Sequence, residues 1–255
     1  MTSIVVSREV EVGPMFKTTA EASAEEERVA ATVGHISEGK PLILLQVNCR
    51  SICNKILESW NLIDTYNPDV VIGTESWLSE EINKVEIFRD EYITLRRDRC
   101  SRCSGVFICV KNFIDCTVLW TDEVFEMIAV EVNGRNPKFE WEVVGVYRAQ
   151  NEDMRVLERL ASRTGFTGNS TKRNITGGDL NLPYADWNGN AGGNSGTQAL
   201  INGLVWENGW SQVIENPTRG DTLLDVYLVR PEISVTSSGI VQGVSDHLAV
   251  ILEVE

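Results

Sequence analysis

No stretch of this chain is apolar for long enough to cross a bilayer, so no membrane partner is expected. Residues 1–13 lack the shape of a signal peptide: Glu9 and Glu11 interrupt them, and no long apolar stretch follows. Without a secretory signal, the six cysteines are expected as free thiols rather than disulfides. Positive charge is also short. Lys and Arg number 23 against 37 acids, for a net charge of −14. Met1–Lys40 holds seven acids and four bases, net −3, so −11 of the −14 belongs to residues 41–255. That is a poor global footprint for a nucleic-acid binder, and such a partner has to be gripped by a local basic patch or bridged by metal. There is no internal repeat, and no biased segment beyond residues 1–40.

What is present suits one large domain with a tail, since hydrophobic residues at 42% suffice for a substantial core. Residues 1–40 mix Thr, Ala, Ser and Glu without strand-like alternation and read as a mobile tail or linker, with a short helix over 21–33 the most structure expected and His35 solvated. The domain occupies 41–255. Leu42–Val47 is a continuous apolar run, as for a strand buried on both faces, and ends at Asn48. Ile52, Ile56, Leu57, Trp60 and Ile63 recur at helical spacing, which predicts a helix over 52–66 before Pro68. Val70–Ile72 is a second buried strand, followed by Gly73, Thr74 and Glu75. Two consecutive strands thus end in a polar residue, and strand ends on one rim are where open sheets hold ligands.

The middle is strand-rich, with strands expected at 92–95, 106–110, 117–119, 125–132 and 139–147, and Asn133-Gly134 as a turn between two of them. Close spacing suggests antiparallel hairpins. A helix is expected over 154–160, a flexible glycine-rich loop over 187–196, and a helix over 197–208. Short strands follow near 212–214, 223–229, 235–240 and 248–252. The pattern fits two packed sheets with helices outside.

The polar residues gather around Ile175-Thr-Gly-Gly-Asp-Leu-Asn-Leu-Pro183, the end of a buried strand and its turn. Asp179 and Asn181 flank Leu180, so in an extended stretch they share a side while Leu180 faces the core. A carboxylate and a carboxamide placed this way can grip a water and a developing oxyanion. Ser245-Asp246-His247 stands just before the last apolar strand, and His247 is the only histidine after the tail. Asp225 lies inside a strand, where an unpaired carboxylate is expensive. Holding an imidazole by its ring N–H would justify it, fixing the tautomer and raising the basicity of His247. Arg96, Arg97, Arg99 and Arg102, with Lys111 on the next strand, form a candidate phosphate-binding cluster, against the plainer reading of a solvated loop. Cys100-Ser-Arg-Cys103 offers one cysteine pair, too few ligands for a structural zinc, and Cys109 and Cys116 read as core residues.

The ordered set Asn48, Glu75, Tyr147, Gly178-Asp-Leu-Asn181, Asp225 and Ser245-Asp-His247 resembles the exonuclease–endonuclease–phosphatase superfamily, which includes apurinic endonucleases and DNase I, over residues 42–254. Val47-Asn-Cys-Arg-Ser-Ile52, Thr74-Glu-Ser-Trp-Leu78, Val144-Gly-Val-Tyr-Arg148, Gly177 through Trp187 and Leu224-Asp-Val-Tyr-Leu228 resemble, more closely, the endonuclease domains of LINE-type non-LTR retrotransposons. The resemblance implies a four-layer α/β/β/α sandwich of two mostly antiparallel sheets flanked by helices. It also implies a Mg²⁺-dependent nick, with Mn²⁺ as a substitute cation, in double-stranded DNA. That nick would prime reverse transcription by a following domain on the element RNA, in the nucleus. Carried over residue by residue, Glu75 resembles the main cation ligand with Asn48 beside it, and Asp246 joins the metal side or helps position the site. Asp179 resembles the group that orients or deprotonates water, while Asn181, Tyr147 and His247 meet the phosphate. Thr218 and Ser245 match phosphate-side positions. Two alternatives stand beside this reading: a phosphatase or phosphodiesterase of the same superfamily acting on a small phosphorylated substrate, and a catalytically silent DNA-binding module.

Overall fold

The computed structural model describes residues 40–98, 104–133, 140–150, 153–164, 172–187, 196–203, 205 and 209–255. The expected tail up to residue 39, the glycine-rich loop from 188 to 195, and Arg99, Cys100, Arg102 and Cys103 lie outside them. One sheet is built from β1 (Leu42–Asn48), β2 (Val70–Thr74), β3 (Tyr92–Arg97), β4 (Val106–Lys111), β11 (Val235–Val241) and β12 (Ala249–Val254), in the order β11-β12-β1-β2-β4-β3. The other holds β5 (Cys116–Thr121), β6 (Glu126–Asn133), β7 (Glu140–Tyr147), β8 (Arg173–Asp179), β9 (Ser211–Gln212) and β10 (Asp225–Val229), in the order β5-β6-β7-β8-β10-β9. Each sheet is mixed. β1 and β2 run parallel in the first, β7 and β8 in the second, and the remaining neighbours are antiparallel.

The apolar runs of β1 and β2 bury both faces because each sheet is covered twice. Leu44, Ile72, Ile108 and Val250 of one sheet meet Ile128, Val143, Ile175 and Tyr227 of the other in the central core. Outside the first sheet, Leu62 of α1 (Ile56–Tyr66) packs with Leu45, Val71 and Phe107. Outside the second, Val156, Leu157 and Leu160 of α3 (Arg155–Arg163) and Ile201 of α4 (Gly196–Asn202) pack with Met127, Val144 and Val146. These layers make a DNase I-like α/β sandwich. No helix among the described residues is long and apolar enough to cross a membrane.

Two local departures from the sequence reading have physical causes. The helix expected over 52–66 starts as a 3-10 turn, Ile52–Asn54, and α1 begins only at Ile56. Lys55 breaks the run at φ −140°, and its Nζ donates to the carbonyls of Cys49 and Arg50, drawing the chain back toward the end of β1. Of the helix expected over 197–208, α4 covers Gly196–Asn202, and residues 204 and 206–208 lie outside the described residues. The short α2 (Lys84–Ile87) was not anticipated; its signal is Asn83, whose side chain accepts from Val85 N as an N-cap.

The turn out of β8 depends on Gly178. Its φ is +154°, and a Cβ there would sit 1.8 Å from the Val146 carbonyl oxygen on the neighbouring strand. Backbone strain and overpacking each cost about 1–3 kcal/mol. Gly178→Ala is therefore expected to lower stability by about 2–6 kcal/mol in urea unfolding, and a loss under about 1 kcal/mol would contradict this geometry.

Candidate active site

The polar residues come together because five strands present their ends at one rim. β1 and β2 run parallel with Asn48 paired to Thr74, so Asn48 and the following Glu75 emerge side by side. β7, β8 and β10 are in register at Tyr147, Asp179 and Asp225, which places those three on one row across the second sheet. His247 enters just before β12, which pairs with β1.

The contacts are short and dense. Asn48 Nδ2 donates to Glu75 Oε1 at 2.9 Å and to Asp179 Oδ2 at 3.0 Å. The backbone N–H of Asn181 donates to Asp179 Oδ1 at 2.9 Å. Asp225 divides its carboxylate: Oδ1 accepts from Gln46 Nε2 at 2.9 Å, and Oδ2 lies 2.7 Å from His247 Nδ1. The imidazole nitrogen is 3.9 Å from Asp179 Oδ2. Asn181 Nδ2 donates to the Arg148 carbonyl, while Arg148 Nη1 donates back to the carbonyls of Leu180 and Asn181, so the turn is clamped from both directions. Tyr147 is nearly buried and hydrogen-bonds Glu75.

Backbone strain collects at the same rim. Among the described residues, six non-glycine residues take positive φ. Asn67 closes α1; the others are Arg50, Ser51, Glu75, Trp77 and Asn181, all on the loops that leave β1, β2 and β8. Such conformations cost about 1–3 kcal/mol each and persist where the surrounding structure holds them.

Burial sets the proton affinities. Asp179 is pushed well above the usual carboxylate range, first by desolvation and then by the neighbouring Asp225 charge, with His247 and the two hydrogen bonds opposing. For His247, burial alone would lower the value, but the hydrogen bond and charge of Asp225, with Asp179 behind it, raise it overall. The Tyr147 phenol is also raised, by burial and then by Glu75 and Asp179.

A raised folded-state value gives stability that is complete below the unfolded pKa and disappears as pH climbs through the folded one. For Asp179 the loss starts near the ordinary carboxylate value of about 3.9, and for His247 near about 6.5. With no divalent cation added, the protein is expected to become less stable as pH rises from about 4 to about 8, seen as a falling urea midpoint. Asp179→Asn should flatten that slope. A parent midpoint that climbs over this window would refute the assignment.

Two places can be tested for a cation. Asp179, Asp225 and His247 each offer a ligand atom, all within 4.8 Å of one another. Both Asp225 oxygens are already engaged, by Gln46 and His247, so a cation there would compete with those bonds. The better fit is the other side of Asp179. Asn48 Oδ1 is buried with no hydrogen-bond partner, although its own Nδ2 is tied to Glu75 and Asp179. With its amide turned over, Asn48 would face the Glu75 and Asp179 carboxylates with this oxygen in place of Nδ2, and three oxygens of that kind are the donor set that a hard divalent cation takes.

Other residues singled out in the sequence sit elsewhere. Thr218 is fully buried, and its Oγ1 accepts from the N–H groups of Leu224 and Asp225 at 3.1 Å each. It braces the entry to β10. Ser245 Oγ donates to the Asn48 carbonyl at 2.8 Å and accepts from His247 N, which staples the His247 loop to β1. Asp246 is taken up by Arg50 and Arg219. The arginine cluster also dissolves in part. Arg96 donates to the carbonyls of Ser79 and Ile82 and pairs with Asp98, while Arg97 donates to the carbonyls of Asp98, Asp122 and Glu123. These guanidiniums hold loops. Lys111 is likewise buried against Asn67. Gln46 and Arg148, which carry the frame of the site, were not picked out; the signal for Gln46 was a lone amide inside an apolar strand.

No protein-family profile matches the sequence, and no curated protein matches it significantly. Among solved structures, the chain is similar to the endonuclease domain of TRAS1, a telomere-specific non-LTR retrotransposon. The identity is 18% and the TM-score 0.64, over 84% of this chain and 98% of that one. It is also similar to the 3′ phosphatase NExo from Neisseria bound to a product DNA hairpin, at 15% identity and TM-score 0.67, over 84% and 99%. An AP endonuclease from Archaeoglobus fulgidus gives 16% and 0.67, over 83% and 98%. At these identities the likeness establishes the fold alone, a DNase I-like α/β sandwich.

Proposed function

We propose that this chain is a divalent-cation-dependent endonuclease that nicks one strand of double-stranded DNA by phosphodiester hydrolysis. The observation that carries the reading is the convergence of Asp179, the Asp225–His247 pair and the Asn48–Glu75 pair on one rim. Phosphodiester cleavage needs positioning and charge neutralisation more than covalent chemistry, and this set offers both. A cation held by Glu75 and Asn48 Oδ1, with Mg²⁺ the natural occupant and Mn²⁺ a substitute, would neutralise phosphate charge and steady the leaving oxygen.

The side chains then have separate tasks. Asp179, fixed by Asn181 N and Asn48 Nδ2, orients the attacking water and takes its proton; its raised affinity for protons suits a base. His247, turned by Asp225, presents its remaining ring nitrogen to the charge that develops on phosphorus-bound oxygen. Asn181 spends one amide N–H on Arg148 and keeps the other for the phosphate. Tyr147 orients Glu75.

The likeness to a retrotransposon endonuclease domain supports a biological role in the nucleus: a nick whose 3′ end primes reverse transcription of the element RNA by a reverse transcriptase domain of the same polyprotein. A supercoiled-plasmid assay tests the chemistry. Nicked circles are expected to accumulate in Mg²⁺, to cease with EDTA, and to be lost in His247→Ala. Absence of nicking by the parent in both Mg²⁺ and Mn²⁺ sinks the reading. Phosphate release from small phosphorylated substrates without nicking would favour the phosphatase, and DNA affinity without cleavage the silent module.

A further inference from the structure

Arg50 and Arg219 approach Asp246 from distant parts of the chain. Arg50 Nη1 lies 3.1 Å from Asp246 Oδ1, and Arg219 Nη2 lies 2.6 Å from Asp246 Oδ2. The cluster belongs to the catalytic rim. Arg50 is two residues beyond Asn48, Arg219 follows Thr218, and Asp246 stands between Ser245 and His247. Arg219 is near enough for its charge to oppose protonation of His247.

Stability does not account for this arrangement. Exposed ion pairs contribute about 0–1 kcal/mol, and the side chains here are open to solvent, at 54% for Arg50, 40% for Arg219 and 37% for Asp246. A second guanidinium on an already paired carboxylate adds like-charge repulsion. Arg50 also sits at φ +41°, a strained conformation braced by Lys55 Nζ on the carbonyls of Cys49 and Arg50. The cluster therefore keeps an excess positive charge beside an acidic site, in a chain of net −14. A guanidinium has five N–H donors in a planar fork. Among the described residues only one nitrogen of each is committed to Asp246, and phosphate is the acceptor that fits such a fork bidentately.

We propose that Arg50 and Arg219, held side by side by Asp246, form a binding site for a backbone phosphate flanking the scissile one, with Asp246 organising the arginines rather than ligating the cation. The proposal rests on the endonuclease reading above and adds the substrate contact that reading lacks. Asp246 is the residue before His247, so a phosphate gripped there neighbours the reacting one.

The test uses the full chain with Asp179→Asn, expected to cut far more slowly than it binds, with a short duplex, fixed Mg²⁺ and varied KCl. Arg50→Ala and Arg219→Ala are each expected to reduce the slope of log affinity against log salt by about one, while Arg50→Lys and Arg219→Lys keep most of it. Unchanged slopes in both alanine variants overturn the proposal and leave only a structural ion pair. In the cutting protein, Asp246→Asn is expected to leave the Mg²⁺ concentration for half-maximal nicking within twofold; a tenfold rise would make Asp246 a cation ligand and also overturn it. Nicking by the parent with unaltered salt slopes defeats this inference alone. A parent that neither nicks plasmid nor binds duplex defeats the endonuclease reading, and the inference with it.

Discussion

Asp179→Asn is expected to slow single-turnover nicking by about 10²–10⁴-fold, the range for removal of a positioned proton acceptor. The replacement is nearly isosteric. Its Oδ1 can still accept from Asn181 N, as the carboxylate does at 2.9 Å. What is lost is the second acceptor, because the new amide would point an N–H at Asn48 Nδ2, itself a donor. That mismatch costs about 1–3 kcal/mol, offset by removal of a buried carboxyl whose main perturbation is desolvation. The fold should survive, with a melting temperature within a few degrees of the parent, so that the lost activity reports on chemistry. Activity within tenfold of the parent would remove Asp179 from the role of base. The sign of the pH effect follows from the same burial. The acid side of the parent rate profile should fall above the usual carboxylate range, and the residual rate of the variant should lack that limb.

Asp225→Asn separates orientation from chemistry. The asparagine can accept from Gln46 Nε2 as Asp225 Oδ1 does, at 2.9 Å. Its amide then points an N–H at His247 Nδ1, which in the parent lies 2.7 Å from a carboxylate oxygen. The ring must turn a lone pair toward the amide and carry its proton on the other nitrogen. It also loses the partner that most raises its proton affinity, while burial still lowers it. Nicking is expected to fall by about 10²–10⁴-fold, as when an orienting carboxylate is neutralised beside a working imidazole. Proton NMR should show the His247 titration moving to lower pH, and the chain has only two histidines to resolve. A midpoint that stays put or rises would mean Asp225 does not govern the ring.

These expectations draw on different layers of information. Asn48 and Glu75 were legible because each follows a short, wholly apolar run, and such runs mark strands buried on both faces. Asp225 was legible because a carboxylate within a strand needs a partner. Other residues have partners within the protein that their local pattern did not announce, for a common reason. Thr218 and Ser245 carry hydroxyls suited to phosphate, yet the turns holding them aim those hydroxyls at backbone groups of Leu224, Asp225 and Asn48. Arg96 and Arg97 have the charge for phosphate, but loop carbonyls nearby take up several of their N–H donors. Asp246 has partners at positions 50 and 219 that no local pattern announces.

From the order of apolar runs and turns alone come the two-sheet sandwich, the strand ends that face one rim and the kinds of group found there. Periodicity and burial cost are local properties, and each residue carries its share of them along the chain. Pairing is different. Whether a given oxygen meets an imidazole, an amide or a guanidinium depends on strand register and on loops brought together from opposite ends of the sequence, and contacts made across such distances exist only once the sheets have packed.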